Sequence, residues 1–255
     1  MANEPGRFVW YELMTTDTTA AEAFYRAVIH WEIKDSGMPD RYYAILSMGS
    51  SMIGGLMALP PDAQGMPPCW VGYIGVPDVD AYAGRVTAAG GTIMRPPADI
   101  PGIGRFAVAA DPGGAAFVLF SGMAGQTPPP VAPGALGHVG WHELYAADGP
   151  AAWEFYSSLF GWGNADAMDM GPMGKYQMFT TGDAPAGGIM TRPPGVPMPF
   201  WTYYFNVESA DAAAARVTGN GGKILNGPME VPGGQWILQC MDPQGAAFAM
   251  VAPKR

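Results

Sequence analysis

Residues 138–162 read HVGWHELYAADGPAAWEFYSSLFGW and carry His138, His142 and Glu143, side chains of the kinds that bind divalent metals. Near the start of the chain, FVWYELMTTDTTAAEAFYRAVIHW repeats the plan with Glu12 but without the histidine pair. Side chains on a strand alternate between its two faces. On a regular strand His138 and His142 share one face and Glu143 takes the other, so His142 and Glu143 cannot grip one ion. His142 therefore reads as a core or boundary histidine and His138 as one at a domain edge. The third histidine, His30, falls at a helix end, where a favourable contact with the helix dipole accounts for it. Glu12 and Glu143 remain. Burying an ionised carboxylate without a partner costs on the order of several kcal/mol. Each therefore has a structural partner, such as a backbone N–H, a Tyr or a Trp, or it serves as a general base or polar anchor of raised pKa, with a lone metal-binding Glu as the third and least favoured option.

The elements that would position these groups follow from pattern. FVWYEL reads as a strand. Asp17 or Thr18 caps a helix, with Glu22 placed for a capping box and Ala23, Phe24, Ala27 and Val28 facing a core. In the second segment Pro150 sits at the first helical position. YYAIL and MIGGLM read as short strands, WVGYIGV as a strand, and residues 79–89 as a helix ended by Gly90-Gly91. TIMRP, RFAVAAD and AAFVLF read as the last strands.

The plan is duplicated. Glu143 lies 131 residues after Glu12, and the same shift relates Asp17 to Asp148, Trp31 to Trp162, Trp70 to Trp201 and Arg85 to Arg216. It also relates DPGGAAF (111–117) to DPQGAAF (242–248). One offset over more than a hundred residues marks a tandem duplication. The expected organisation is a first domain over 1–122, a Pro/Gly-rich linker over 123–135 and a second domain over 136–255. With 36 glycines and 26 prolines among 255 residues, turns are many and long helices few, an α+β composition.

The formal net charge is −9 with no basic tract, which argues against nucleic acid as a partner. No apolar run approaches the roughly 20 residues of a membrane span, and MANEPGRF lacks the apolar core of a signal peptide. Cys69 and Cys240 have no redox or zinc spacing, so a cytoplasmic location with reduced thiols is expected. GGLM (54–57) and GGIM (187–190) are not phosphate loops, and no GxSxG nucleophile elbow is present.

ELMTTDTTAAEAFY, ELYAADGPAAWEFYSSLFGW, VPDVDA and the two DPxGAAF turns together resemble the vicinal oxygen chelate superfamily, which includes glyoxalase I, extradiol dioxygenases and bleomycin resistance proteins. Tandem glyoxalase-like members are the nearest likeness. His30 departs from the pattern, since Gly161 stands at the matching place. The resemblance implies that each domain pairs two βαβββ units into an open, cup-like mixed sheet with helices outside and a divalent metal inside. The positions it assigns to metal ligands hold Trp10 and Trp141, Val71 and Thr202, and Val118 and Ala249. That set disfavours a divalent metal, so no cofactor is expected.

In the same register Trp141, Glu143 and Tyr145 face the cup, as do Trp10, Glu12, Met14, Tyr73, Val118 and Phe120. Thr202, Tyr204, Asn206 and Ala249 follow. Their aromatic and apolar character suits a small, flat, mostly apolar molecule, or simply a filled core. Arg41, Arg105, Lys175 and Arg192 flank turns, either solvated or at a rim. Four readings stay open: a metal-independent binding protein; an enzyme of lyase or isomerase type with Glu12 or Glu143 as base; a metal-dependent lyase or dioxygenase with rearranged ligands; and an interaction module. A monomer whose two domains pair like a dimer is expected.

Overall fold

The computed structural model describes residues 6–39, 41–61, 63, 65–123 and 131–255. Residues 1–5, read above against a signal peptide, and 124–130, most of the linker, lie outside the described residues.

The first repeat runs β1 (Phe8–Thr15), α1 (Thr18–Ile29), β2 (Glu32–Asp35), β3 (Tyr43–Met48), β4 (Ser51–Ala58), β5 (Cys69–Gly75), α2 (Val79–Ala88), β6 (Thr92–Ile100), β7 (Gly104–Ala110) and β8 (Ala116–Gly122). The second runs β9 (Val139–Ala146), α3 (Gly149–Phe160), β10 (Gly163–Asp169), β11 (Lys175–Thr181), β12 (Ala184–Thr191), β13 (Phe200–Asn206), α4 (Ala210–Gly219), β14 (Lys223–Val231), β15 (Gln235–Met241) and β16 (Ala247–Ala252). This is the βαβββ order four times over.

The strands form two open, mixed, eight-stranded sheets, ordered β2-β3-β4-β1-β5-β8-β7-β6 and β10-β11-β12-β9-β13-β16-β15-β14. The protein is α+β, as the composition and the repeat suggested. β5 and β13 lie near the middle of their sheets and are buried almost throughout, so they read as continuous apolar runs. β2 was not anticipated, because only Ile33 of EIKD is buried.

By packing, the chain divides into two compact units, each drawing on both repeats. One comprises Met1–Val9, Val71–Thr127 and His142–Trp201, the other Trp10–Trp70, Pro128–Trp141 and Thr202–Arg255.

The helix starts follow from capping chemistry. The Asp17 carboxylate accepts from Ala20 N at 2.9 Å, and Asp148 accepts from Ala151 N at 2.9 Å. With Asp17 as the cap, the capping-box position is Ala20, not Glu22. Glu22 instead pairs with Arg26 one turn on, at 3.0 Å. The buried face of α1 also differs from expectation. Phe24 and Val28 are buried, but Ala23 is exposed and Ala27 half-buried, because Tyr25 and Ile29 take the core. At the exits His30 (φ 68°) and Gly161 (φ 71°) adopt the same left-handed backbone.

Candidate functional site

Glu12 is the centre of a buried polar cluster in the unit that contains Trp10–Trp70. Strand alternation sends Leu13 and Thr15 to a fully buried face, leaving Trp10, Glu12 and Met14 on the other. Glu12 is only 8 % exposed. β4 runs parallel to β1 and places Gly55 beside Glu12. Gly55 has no side chain for a reason: a Cβ there would lie 2.0 Å from the hydroxyl of Tyr43, whose ring crosses this position. That hydroxyl accepts from Trp10 Nε1 at 3.0 Å and donates to the Glu12 carboxylate. Burial, reinforced by the Glu12 charge, holds the Tyr43 phenol far above its ordinary pKa, so it stays a donor. Burial and the same charge push the Cys69 thiol up to about 11. Cys69 is therefore protonated at neutral pH and is no thiolate nucleophile.

The second repeat reproduces the device. Glu143 is 8 % exposed and lies beside Gly188 of β12. A Cβ on Gly188 would meet the Tyr176 ring at 2.1 Å. The neighbouring glycines of both pairs answer a different demand. A Cβ on Gly54 would stand 2.2 Å from the Tyr11 carbonyl oxygen, and one on Gly187 2.1 Å from that of His142. GGLM and GGIM thus belong to close strand-on-strand approach and to a seated tyrosine.

The other anticipated positions are distributed as follows. Tyr145 stacks on Phe200, with ring centroids 5.3 Å apart and planes at 23°. Trp141 packs, with Ile237, against the buried cluster of Tyr204, Ala249 and Val251. Gln239 Nε2 donates to the Tyr204 hydroxyl at 2.8 Å. Asn206 Nδ2 donates to the Ala135 carbonyl at 3.1 Å and so holds the entry to β9. Tyr73 meets Phe120 edge-on at 5.9 Å, and Val118 and Thr202 are buried.

His142 is buried, stacked on Phe8 with centroids 4.1 Å apart, and its Nδ1 lies 2.7 Å from the Ala186 carbonyl. Burial lowers its pKa to about 4, so it is neutral. His138 is half-buried, and its pKa is lowered for the same reason. Among the described residues, no three His, Cys, Asp or Glu side chains come together as a group that could hold a metal ion. Two of the four turn-flanking cations are engaged rather than merely solvated. Arg105 pairs with Asp80 at 2.6 Å and Asp99 at 2.8 Å, and Arg192 donates to the Val196 carbonyl.

Tyr43 and Tyr176 were missed as site residues. Tyr176 follows Tyr43 by 133 residues, not 131, because the second repeat has a longer β10–β11 hairpin. The signal was available: each tyrosine stands 12 residues before the second glycine of its Gly-Gly pair. The DPxG turns have a structural task. Asp242 accepts from Ala246 N (2.8 Å) and from the Tyr25 hydroxyl (3.1 Å), which in turn accepts from Trp70 Nε1 (2.9 Å). Asp111, Tyr156 and Trp201 repeat the chain, with links of 3.3 and 3.0 Å.

The fold and the duplicated site define the family, and the chain belongs to the Glyoxalase/Bleomycin resistance protein/Dioxygenase superfamily, whose family model matches residues 7–119 and again 135–250. It is 34% identical over 248 residues to the "Putative glyoxylase CFP32" of Mycobacterium tuberculosis, covering 96% of this chain and 94% of that protein. It is 31% identical over 263 residues to the "Anthracycline biosynthesis protein DnrV" of Streptomyces peucetius, covering 97% and 93%. Among solved structures it resembles an Mn(II)-bound glyoxalase from Novosphingobium aromaticivorans, with a TM-score of 0.67 at 19% identity over 98% of this chain and 82% of that one. It also resembles the 2,3-dioxygenase LapB from Pseudomonas sp. KL28, with a TM-score of 0.66 at 13% identity over 98% and 93%. At such identities the two structures speak for the fold alone. Among the described residues no helix is long and apolar enough to cross a membrane. The described hydrogen-bonding neighbours of Glu12 are a phenol and, through it, an indole N–H, and an indole is no ligand of a divalent metal.

Proposed function

We propose that this chain binds a small, flat, mostly apolar molecule against a buried carboxylate, without a divalent metal. The observation that carries the reading is Glu12, buried on a strand face with Trp10 and Met14 and hydrogen-bonded by Tyr43. Pockets for such molecules combine apolar and aromatic walls with a few fixed polar groups. The expected ligand register supports the reading too, because Trp10 and Trp141 stand where imidazoles would be needed. The free thiols Cys69 and Cys240 suit a reducing compartment such as the cytoplasm. Native mass spectrometry of untagged protein tests the proposal. A co-purifying small organic molecule released on denaturation is expected. Protein that neither carries nor takes up any such molecule would count against it.

Similarity to a protein named a glyoxylase favours a second reading, a lyase or isomerase with Glu12 or Glu143 as general base. It requires turnover that disappears on Glu12→Gln or Glu143→Gln while the fold is retained.

A further inference from the structure

We infer that the working site is that of the first repeat, at Glu12, and that it takes one flat aromatic molecule carrying an O–H or N–H donor. This rests on the binding reading above and names which carboxylate serves it.

The two repeats differ where it matters. Tyr145 and Phe200 stack beside Glu143 in the second repeat; the positions 131 residues earlier hold Met14 and Cys69. A thiol fills far less space than a phenyl ring, and a thioether adapts its shape to what it meets. Met14 and Cys69 are both half-buried. The second repeat has stacked two rings at the places where the first keeps a thioether and a thiol.

The chemistry of the Glu12 cluster selects the ligand. Its carboxylate is an acceptor and repels anions, and Tyr43 beside it stays neutral. A ligand O–H or N–H would bond the carboxylate with charge assistance. An aromatic plane suits the Trp10, Tyr43 and Met14 side chains around it.

The test uses the full chain with 2-naphthol and, as a probe of the same shape lacking the donor, 2-methoxynaphthalene. Calorimetric titration should give one 2-naphthol per chain, with the methyl ether binding about tenfold more weakly or worse. Glu12→Gln should weaken 2-naphthol about tenfold and leave the ether unchanged. Cys69→Phe, which copies the second repeat's filling, should abolish binding of both. Saturating 2-naphthol should further slow the already slow alkylation of Cys69 by iodoacetamide at pH 9, where a small fraction of the thiol is ionised, read by peptide mass spectrometry over hours. Circular dichroism verifies each fold, and Glu12→Gln with the alkylation readout decides the matter even if Cys69→Phe misfolds. Two naphthols per chain, or one whose binding ignores Glu12→Gln and leaves Cys69 unprotected, would overturn the assignment to the first repeat while sparing the binding reading. Failure of the unsubstituted protein to bind either probe would overturn both.

Discussion

Tyr43 crosses the bare Cα of Gly55 and gives its phenolic proton to Glu12. One hydroxyl thereby satisfies a buried carboxylate on one side and the Trp10 indole N–H on the other. Tyr43→Phe takes a hydrogen-bond partner from both groups. The unfolding free energy should fall by about 1–3 kcal/mol in urea titrations. Adding Glu12→Gln should then cost much less than it does alone, because the bond to Tyr43 is already lost. Full additivity would mean that the two side chains are not coupled.

The two glycines of GGLM should respond differently to alanine. At Gly54 the new methyl meets the Tyr11 carbonyl, which cannot move without parting β1 from β4, so Gly54→Ala should prevent soluble folding or cost several kcal/mol, roughly the scale of severe overpacking. At Gly55 the obstacle is the end of the Tyr43 side chain, which can swing away. Gly55→Ala should fold but lose the Tyr43–Glu12 bond. Introducing Tyr43→Phe into that background should then change stability little, as denaturant titration would show.

His142 makes stability depend on pH in a defined window. Its folded pKa of about 4 lies below the ordinary 6.5, so as pH falls the unfolded chain takes up the proton first. Its contribution is complete above pH 6.5 and is lost as pH falls toward 4, a total of about 3 kcal/mol. Tyr11 stands at the matching place in the first repeat, which makes His142→Tyr the natural comparison. Unfolding free energies at pH 7 and pH 4.5 should differ less in the variant by about this amount. An unchanged difference would mean that His142 is readily protonated in the folded state.

His30 holds a left-handed conformation that Gly161 holds in the other repeat. A side chain with a Cβ is strained there by about 1 kcal/mol, partly offset by the extra chain entropy of an unfolded glycine. His30→Gly should raise stability by roughly 0.5–1 kcal/mol in the same titrations. A loss would mean that the imidazole has a stabilising contact larger than the strain.

Strand existence and the duplication were legible because apolar runs such as WVGYIGV and residues at a fixed spacing leave direct marks on a sequence. That Glu143 and His142 take opposite faces of one strand followed from alternation alone. Three things were not legible. Tyr43 was hidden by a local change of offset, which a search at one spacing cannot see. The buried face of α1 was misread because alanines at helical spacing look like core until Tyr25 and Ile29 outcompete them. The chain Trp70–Tyr25–Asp242 joins residues of both repeats within one compact unit, and periodicity along one repeat contains no information about that partner.

A Glu12 site that works through a carboxylate and its tyrosine needs no divalent ion. Elemental analysis of untagged protein for manganese, iron, cobalt, nickel and zinc, repeated after chelation with a thermal unfolding scan, tests it directly. Substoichiometric metal and a melting temperature that chelation leaves unchanged are expected. A stoichiometric metal whose removal lowers the melting temperature would contradict it.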